Sequence, residues 1–369
     1  MFLALREIKH SRLRFTLIGA IMALIAWLVF LLTGLATGLA TDNGSSIINM
    51  PADYLVFQSD SRFLLHRSLL PSQTVEQVKQ IQGVKEVAPL GHLTVTTSKV
   101  GSSQQIDATI LAIDANSFLA PRLTEGSRPL SSTDNKIIVD EHFKRQGLQI
   151  GDSLQIKPSG PVFTISGFTK GQTYSHLPVM FTSIQQWQAI KFAAPGSSGD
   201  ISSPISAVAV KMDSSTAAQV AKIPGVEVAS RQVVLENLSG YKEEMGTINM
   251  IQVFLLLIAA FIMAAFFYVL TLQKTNQFGV LKVLGASVRF LARELIAQVL
   301  ILTIVGVVAG AALTYGVAAI IPANVPFALD SSLVLIYGVI LLVVALLGTL
   351  LSLRKIAKID PLIAIGRVD

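Results

Sequence analysis

The chain has no cysteine, which removes disulfides, thiolate metal sites and a cysteine nucleophile together. It is also short of charge: Asp, Glu, Lys and Arg make up 14% of its 369 residues, against about 25% in an average soluble protein. No G-x-x-x-x-G-K string followed by Ser or Thr occurs, so no segment is built to wrap backbone amides and a lysine around the phosphates of a nucleotide. A G-x-S-x-G elbow is missing too, and serine, histidine and aspartate are scattered without hydrolase spacing. These absences exclude an ordinary soluble protein, a P-loop ATPase and an elbow-type hydrolase.

What is present in excess is apolar. Hydrophobic residues make up 51% of the chain and the mean hydropathy is +0.60. They gather in four uncharged blocks, 15–40, 248–273, 295–322 and 333–353. Each reaches the roughly 20 residues that a helix needs to cross a hydrocarbon core. The first block is too long for the roughly 7–15 residues of a signal-peptide core and ends without a clean A-x-A site, so a retained span is expected rather than a cleaved leader. The blocks contain no Asp, Glu, Lys, Arg or His, which speaks against a proton- or ion-coupled secondary transporter.

Cations set the orientation. Arg6, Lys9, Arg12 and Arg14 precede the first block, Lys274, Lys282, Arg289 and Arg293 separate the second from the third, and Arg354, Lys355, Lys358 and Arg367 follow the fourth. The opposite side carries Asp42 and Asp330. Both termini are therefore expected in the cytoplasm of a multi-pass protein of the cell membrane, with the long segment 41–247 outside. The net charge of +6 is this juxtamembrane excess and implies no nucleic-acid partner.

The outer segment reads as mixed α/β. Runs at His92–Val100, Asp107–Asp114, Lys136–Asp140, Asp152–Lys157 and Val162–Phe168 have strand character and are separated by Gly, Ser and Pro turns. Ser72–Pro89 and Ser215–Ser230 share one plan, a Ser/Thr start, a short amphipathic helix, Gly-Val and a strand. That repeat suggests a split βαβ module flanking an insertion from about Asn116 to Trp187. Ala193–Pro204 reads as a loop of small turn formers.

The stretch Leu272–Glu294 is basic and amphipathic, with a turn at Gly285 and Ser287 placed to cap the next helix. Its apolar positions Phe278, Leu281 and Leu284 suit either packing at the membrane surface or docking of another protein.

QFGVLKVLGAS (Gln277–Ser287) resembles the motif of permeases in the MacB and FtsX superfamily, the type VII ABC exporters. Leu3–Phe15 is similar to that family's basic N-terminal helix, IDPLIAIGR (Ile359–Arg367) to its closing motif, and one span, an outer domain and three spans follow its order. Within the superfamily, Ala264–Ala286, TYSHLPV (Thr173–Val179) and SGYKEEM (Ser239–Met245) resemble haem-efflux permeases of the Hrt type. Gln277 stands where the family often has glutamate, so an ion pair to the ATPase there does not carry over.

The resemblance implies an α-helical membrane protein with four transmembrane helices, one N-terminal and three C-terminal, and a mixed α/β extracytoplasmic domain inserted between helices 1 and 2. It implies a cytoplasmic amphipathic helix at 1–14, a coupling loop at 274–294 and a cytoplasmic tail at 354–369. The implied role is the permease subunit of an ATP-driven exporter, acting by mechanotransmission and itself no enzyme. ATP is then bound and hydrolysed by a separate partner subunit, and the working unit is two permeases with two ATPases. No intrinsic cofactor is expected, and haem is the implied transported substrate. Export of another amphiphile (an antimicrobial peptide, a macrolide or a lipid) and FtsX-like signalling to a cell-wall enzyme without transport are the alternatives.

A haem carrier needs an apolar slot, an iron ligand and partners for the propionates. On a helix, Tyr241, Glu244, Met245 and Ile248 share a face. Tyr241, Glu243, Glu244 and Met245 are therefore the first substrate candidates, with Tyr241, Glu244 and Met245 able to ligate iron. Interfacial anchoring and simple packing explain the same residues. Tyr174 and His176 are a second pair, expected to share a strand face. His66, His92 and His142 show no metal spacing. ATPase coupling is expected at Gln277, Phe278, Gly279, Leu281, Lys282 and Gly285. Gly34 and Gly38, a small-xxx-small pair, are candidates for packing against a second copy or within the chain.

Overall fold

The computed structural model describes residues 12–128, 134–193, 203–322 and 325–357. Most of the N-terminal helix expected at 1–14, the closing Ile359–Arg367 and most of the Ala193–Pro204 loop lie outside the described residues. Two compact units are present: Leu39–Met245, and Met1–Gly38 together with Gly246–Asp369.

In chain order the elements begin with α1 (Arg12–Ile48), β1 (Tyr54–Gln58), β2 (Leu70–Pro71), α2 (Gln73–Lys79), β3 (Glu86–Lys99) and β4 (Gln105–Ala112). Then come β5 (Leu123–Gly126), β6 (Lys136–Asp140), α3 (Glu141–Arg145), β7 (Ser153–Ile156), β8 (Val162–Thr169), β9 (Thr173–Tyr174) and β10 (Leu177–Thr182). They continue with α4 (Ile184–Lys191), β11 (Pro204–Ile205), β12 (Ala207–Lys211), α5 (Ser214–Val220), β13 (Val226–Ser230) and α6 (Arg231–Glu236). The last are α7 (Tyr241–Gln273), α8 (Thr275–Val283), α9 (Val288–Ala318) and α10 (Ser331–Ala357).

Four helices are long and apolar enough to cross a bilayer: Phe15–Ile48, Tyr241–Gln273, Val288–Ala318 and Ser331–Leu350. The protein is an α-helical membrane protein with one span before, and three spans after, a mixed α/β domain. α1 runs on past Ala40 and α7 begins before Ile248. Hydropathy registers residues that meet hydrocarbon, whereas a helix continues as long as its backbone bonds do.

Within the membrane unit, Phe15, Ile18, Met22, Ala26, Val29 and Phe30 form one stripe of α1 at three- and four-residue spacing. They belong to one core with Met263 and Phe267 of α7, Leu295 and Val299 of α9, and Leu341 and Ala345 of α10. Small residues set how closely the helices approach. A Cβ on Gly306 would stand 2.6 Å from that of Met22, and one on Gly310 would stand 2.7 Å from that of Ala26. α9 therefore meets α1 across a small-xxx-small face. Hydroxyls in the spans are satisfied locally: Thr271 donates to the Phe267 carbonyl at 2.7 Å and Thr314 to that of Gly310 at 2.8 Å.

Gly34 and Gly38 need a correction. A Cβ on Gly34 would fall 2.4 Å from the Phe327 ring, and one on Gly38 2.3 Å from the Pro326 carbonyl oxygen. Gly34 also accepts from the Ala328 amide at 3.0 Å. The connection between α9 and α10 fills this face, so its closeness serves packing within the chain rather than a second copy.

The outer domain is built on the repeat seen in the sequence. β1–α2–β3 and β12–α5–β13 are its two halves, and their strands lie in the order β13-β1-β12-β3 with antiparallel neighbours. This is the split βαβ arrangement. The insertion starts at β4 rather than near Asn116, because β3 runs on for 14 residues and carries a second set of pairings. Its first half pairs β12 and its second half pairs β4 and β7. The pairings β3-β4-β10-β6-β8-β7 return to β3 and close a ring of strands. Closure removes free edges, and Ile110, Leu154, Phe163 and Met180 lie in the core of this ring.

Candidate functional site

Beyond Ala40, α1 continues into the outer domain as a polar turn. At Gly44 the backbone leaves helical geometry (φ −144°, ψ 26°). A side chain there would collide with Leu235 of α6, its Cβ lying 2.3 Å from Cδ1. Glycine lets this turn lie against α6 and present Asp42, Asn43 and Ser45. The Ser45 and Thr173 hydroxyls are 2.7 Å apart, and the Thr173 amide donates to Ser45 Oγ at 2.8 Å. The Ser175 amide donates to the Asn43 carbonyl at 2.6 Å.

Those bonds seat the β9–β10 hairpin, whose two turn residues are Ser175 (φ 50°) and His176 (φ 62°). Two successive left-handed residues are what a type I′ turn requires, and Asn-Gly is the sequence that meets it without strain. Here the cost is carried by a serine and a histidine, and strain of this kind collects at functional positions.

The His176 imidazole bridges two carboxylates. Nδ1 is 3.0 Å from Asp42 Oδ2, and Nε2 is 3.7 Å from Glu244 Oε2 in the first turn of α7. Asn43 Nδ2 donates to the same Glu244 oxygen at 2.9 Å. The other Asp42 oxygen is 3.7 Å from His142 Nε2, and His142 Nδ1 is 2.5 Å from the buried Asp140. Asp140 caps α3 through the His142 amide and accepts from the Gln172 amide at 2.7 Å. A chain of alternating acids and imidazoles thus runs Asp140–His142–Asp42–His176–Glu244. Its members do not converge on one point, and no cluster fit to hold a metal ion occurs among the described residues.

Tyr174 and His176 do not share a face, because the chain turns between them. Tyr174 is buried, with its ring 4.8 Å from that of His92. Burial pushes its phenol above the ordinary range. His92 is itself buried with neither ring nitrogen hydrogen-bonded. Desolvation first, then the nearby Lys191 and His66, hold its pKa down at about 3. Tyr241 and Met245 pack on the domain core beside Tyr174, Val234 and Leu238. Glu243 is exposed and Glu244 partly so. The face expected at 241–245 exists, but only Glu244 brings its polar group to the acid–imidazole chain. Nothing in the sequence marks Asp42, Asn43, Asp140 or His142 as site residues, since none has a local pattern that pairs it with the others.

The elbow expected between the second and third spans is formed by α8 and the start of α9. Gly285 sits at φ 92°, a conformation that favours glycine. The Ser287 hydroxyl accepts from the Phe290 amide at 3.2 Å and caps α9. Phe278 is buried in the membrane unit's core, so of the two roles its amphipathic stretch allows its side chain takes packing. Leu281 is partly buried against the same core, and Gly279 is buried. The face left exposed consists of Val280, Val283, Leu284 (77% exposed), Val288 and Phe290, with Gln277 beside it. Lys274, one of the orienting cations, is buried at the α7–α8 junction with its ammonium on Gln298 Oε1 and 5.6 Å from the Phe15 ring centroid.

Four spans, a split βαβ domain carrying a strand ring, and an elbow between spans two and three define a permease-type membrane subunit. Residues 16–224 match the MacB-like periplasmic core domain and residues 249–361 the FtsX-like permease C-terminal region. The chain belongs to this MacB/FtsX family of ABC transporter permeases and has an extracytoplasmic domain. It is similar to a Staphylococcus haemolyticus protein that carries the name of hemin transport system permease HrtB, at 30% identity over 371 residues covering 100% of both chains. A protein of the same name from Staphylococcus epidermidis is 29% identical over 99% of both, and an uncharacterized ABC transporter permease of Mycobacterium tuberculosis is 23% identical over 99% of both. Among solved structures, the periplasmic region of MacB from Actinobacillus actinomycetemcomitans overlays with a TM-score of 0.38 at 13% identity, covering 53% of this chain and 97% of that one. The extracellular domain of the Gram-positive transporter YknZ gives a TM-score of 0.34 at 15% identity, covering 48% and 98%.

Proposed function

We propose that this chain is the permease subunit of an ATP-driven haem exporter, working as two permeases with two separate ATPase subunits. The observation that carries the reading is the full-length likeness to relatives named for hemin transport. The residue chemistry is compatible with it. Haem is a flat apolar ring with a Lewis-acidic iron and two propionates. Glu244 and His176 offer a carboxylate and an imidazole, both partly exposed, beside the apolar surface that Tyr241 and Met245 cover. Glu244 is the proposed iron ligand. Tyr241 and Met245 would need to leave the domain core to reach iron, so they line the site instead.

Coupling is proposed through the elbow. With both termini and the elbow in the cytoplasm, as the cation distribution favours, Val280, Val283 and Leu284 form the surface on which the ATPase seats. Closure of the ATPases then shifts the elbow, and α7 carries that movement along one continuous helix to Glu244 in its first turn.

The purified permease–ATPase complex in lipid tests this. Haem is expected to stimulate ATP hydrolysis and to give a bound Soret band, and Glu244→Gln to shift that band. Stimulation by a different amphiphile with none by haem, or by an outer protein partner alone, overturns the substrate. Labelling that places Gly285 outside the cell overturns the orientation and the coupling together.

A further inference from the structure

Glu244 meets two nitrogen donors on one of its two oxygens. Asn43 Nδ2 lies 2.9 Å from Oε2 and His176 Nε2 lies 3.7 Å from the same atom, while Oε1 has no bond among the described residues. The glutamate side chain is 17% exposed, so it is not sealed within the domain.

Asn43, by contrast, is fully buried. Backbone bonds fix both segments that bring the pair together. The Asn43 carbonyl accepts from the Ser175 amide at 2.6 Å, and the Glu244 amide donates to the Gly240 carbonyl at 2.9 Å. What the backbone leaves open is the glutamate side chain, with its three rotatable bonds, and the Asn43 amide supplies the close bond that selects one setting. Only the amide nitrogen faces a carboxylate oxygen with attraction, so the orientation of the amide is set as well. Asn43 Oδ1 is then buried without a hydrogen-bond partner. Buried polar atoms are nearly always bonded, and one left unmet lowers stability. An apolar side chain of the same shape would spare the fold that loss, so the service the amide performs is performed at Glu244.

We propose that Asn43 is the positioning residue of the substrate site: its amide holds Oε2 of Glu244, so that Oε1 is the oxygen presented to the haem iron. The inference rests on the reading of Glu244 as the iron ligand. A hydrogen bond to the oxygen that does not ligate fixes the direction of the one that does, and loss of such an outer partner weakens metal binding about 10- to 100-fold. His176 Nε2, at 3.7 Å, is too far away to set that direction by a hydrogen bond.

Haem titration of the permease–ATPase complex in lipid, followed at the Soret band, tests this. Asn43→Leu keeps the branched shape and removes the donor. Its haem dissociation constant should rise about 10- to 100-fold, with a displaced Soret maximum. The haem concentration that gives half-maximal ATP hydrolysis should rise by the same factor while the maximal rate holds. Its unfolding temperature should stay within about 4 °C of the wild type, because the unmet Oδ1 leaves together with the donor. Asn43→Ala, which cannot overpack the same space, should weaken binding likewise. Asn49→Ala removes another amide of the α1 extension, one that bonds the Gly171 carbonyl at 2.9 Å, and should bind haem as the wild type does. Wild-type affinity in both Asn43 variants while Glu244→Gln binds weakly, or equal weakening by Asn49→Ala, overturns the proposal and leaves Glu244 as the ligand. Wild-type affinity in Glu244→Gln, or no haem binding by the wild type, overturns the haem reading of this site and the role of Asn43 with it.

Discussion

The imidazole of His176 and the carboxylate of Asp42 meet at 3.0 Å, although one sits at the tip of a two-residue hairpin and the other on the outward extension of the first membrane helix. Through its second nitrogen the same ring faces Glu244, so one side chain spans the acids at the last turns of α1 and the first turn of α7.

The strain and the chemistry of that hairpin are separable. Ser175→Asn suits the left-handed position at φ 50° and is expected to raise stability by the few tenths to about 1 kcal/mol that better turn residues contribute, read as a slightly higher unfolding temperature. His176→Gly relieves the second left-handed residue but removes the imidazole. It should hold or raise stability while lowering haem-stimulated ATP hydrolysis by about tenfold, if the bridge is worth a charge-assisted hydrogen bond. Thermal unfolding and ATPase assays on the same preparations decide this. A His176→Gly protein with full stimulation would show that the bridge is only structural.

His92 makes the outer domain acid-sensitive. Its folded pKa of about 3 lies below that of an unfolded histidine, near 6.5. Between the two values the unfolded chain binds a proton that the folded chain refuses, so stability rises with pH through this window. It is lost as pH falls from about 6.5 toward about 3, by an amount on the order of 4 kcal/mol in total. Tryptophan-monitored unfolding at pH 7, 5 and 4 should follow that slope. His92→Leu should flatten it without loss at pH 7, since neither ring nitrogen has a bond to lose. An unchanged slope in His92→Leu would assign the acid sensitivity elsewhere.

Gly306 and Gly310 hold α9 against α1. Gly310→Leu drives a branched side chain into Ala26 and the backbone nitrogen of Trp27, each 2.7 Å from where its Cβ would lie. A loss of about 1–3 kcal/mol is expected from overpacking, with a lower thermal midpoint of the full chain in lipid. Gly316→Leu, where nothing lies within 4 Å of the added Cβ, is the control and should be near neutral.

At the elbow, Leu284→Asp alters the exposed apolar face proposed to seat the ATPase without touching the core, because Leu284 is 77% exposed. Binding of the ATPase subunit should fall by about tenfold or more, as loss of a central apolar anchor does at interfaces, while the unfolding temperature stays the same. Gly285→Ala forces a Cβ into φ 92° and is expected to cost roughly 1 kcal/mol. Co-purification with the ATPase reads the first variant and thermal unfolding the second.

The acid–imidazole chain shows what a linear reading misses. Asn43 and Glu244 are 201 residues apart in sequence, and no local pattern pairs them. Strand periodicity puts Tyr174 and His176 on a common face, and it fails where two left-handed residues reverse the chain. Phe278 lies on an amphipathic stretch that suits either packing or docking, because periodicity places a residue on a face without saying what that face meets. The same holds for Gly34 and Gly38: spacing marks a close approach, and only packing identifies the neighbour as Pro326 and Phe327.

The four spans, the order of one span, domain and three spans, the helix–strand repeat and the Ser287 cap are all legible in the linear chain. These follow from hydropathy, periodicity and capping chemistry, which act over one or two helical turns. The closure of the strand ring through β3, the meeting of Asp42, His176 and Glu244, and the burial of Phe278 and Lys274 emerge only on packing. Each depends on side chains from distant segments arriving at one place, which is a property of the packed chain and not of any segment of it.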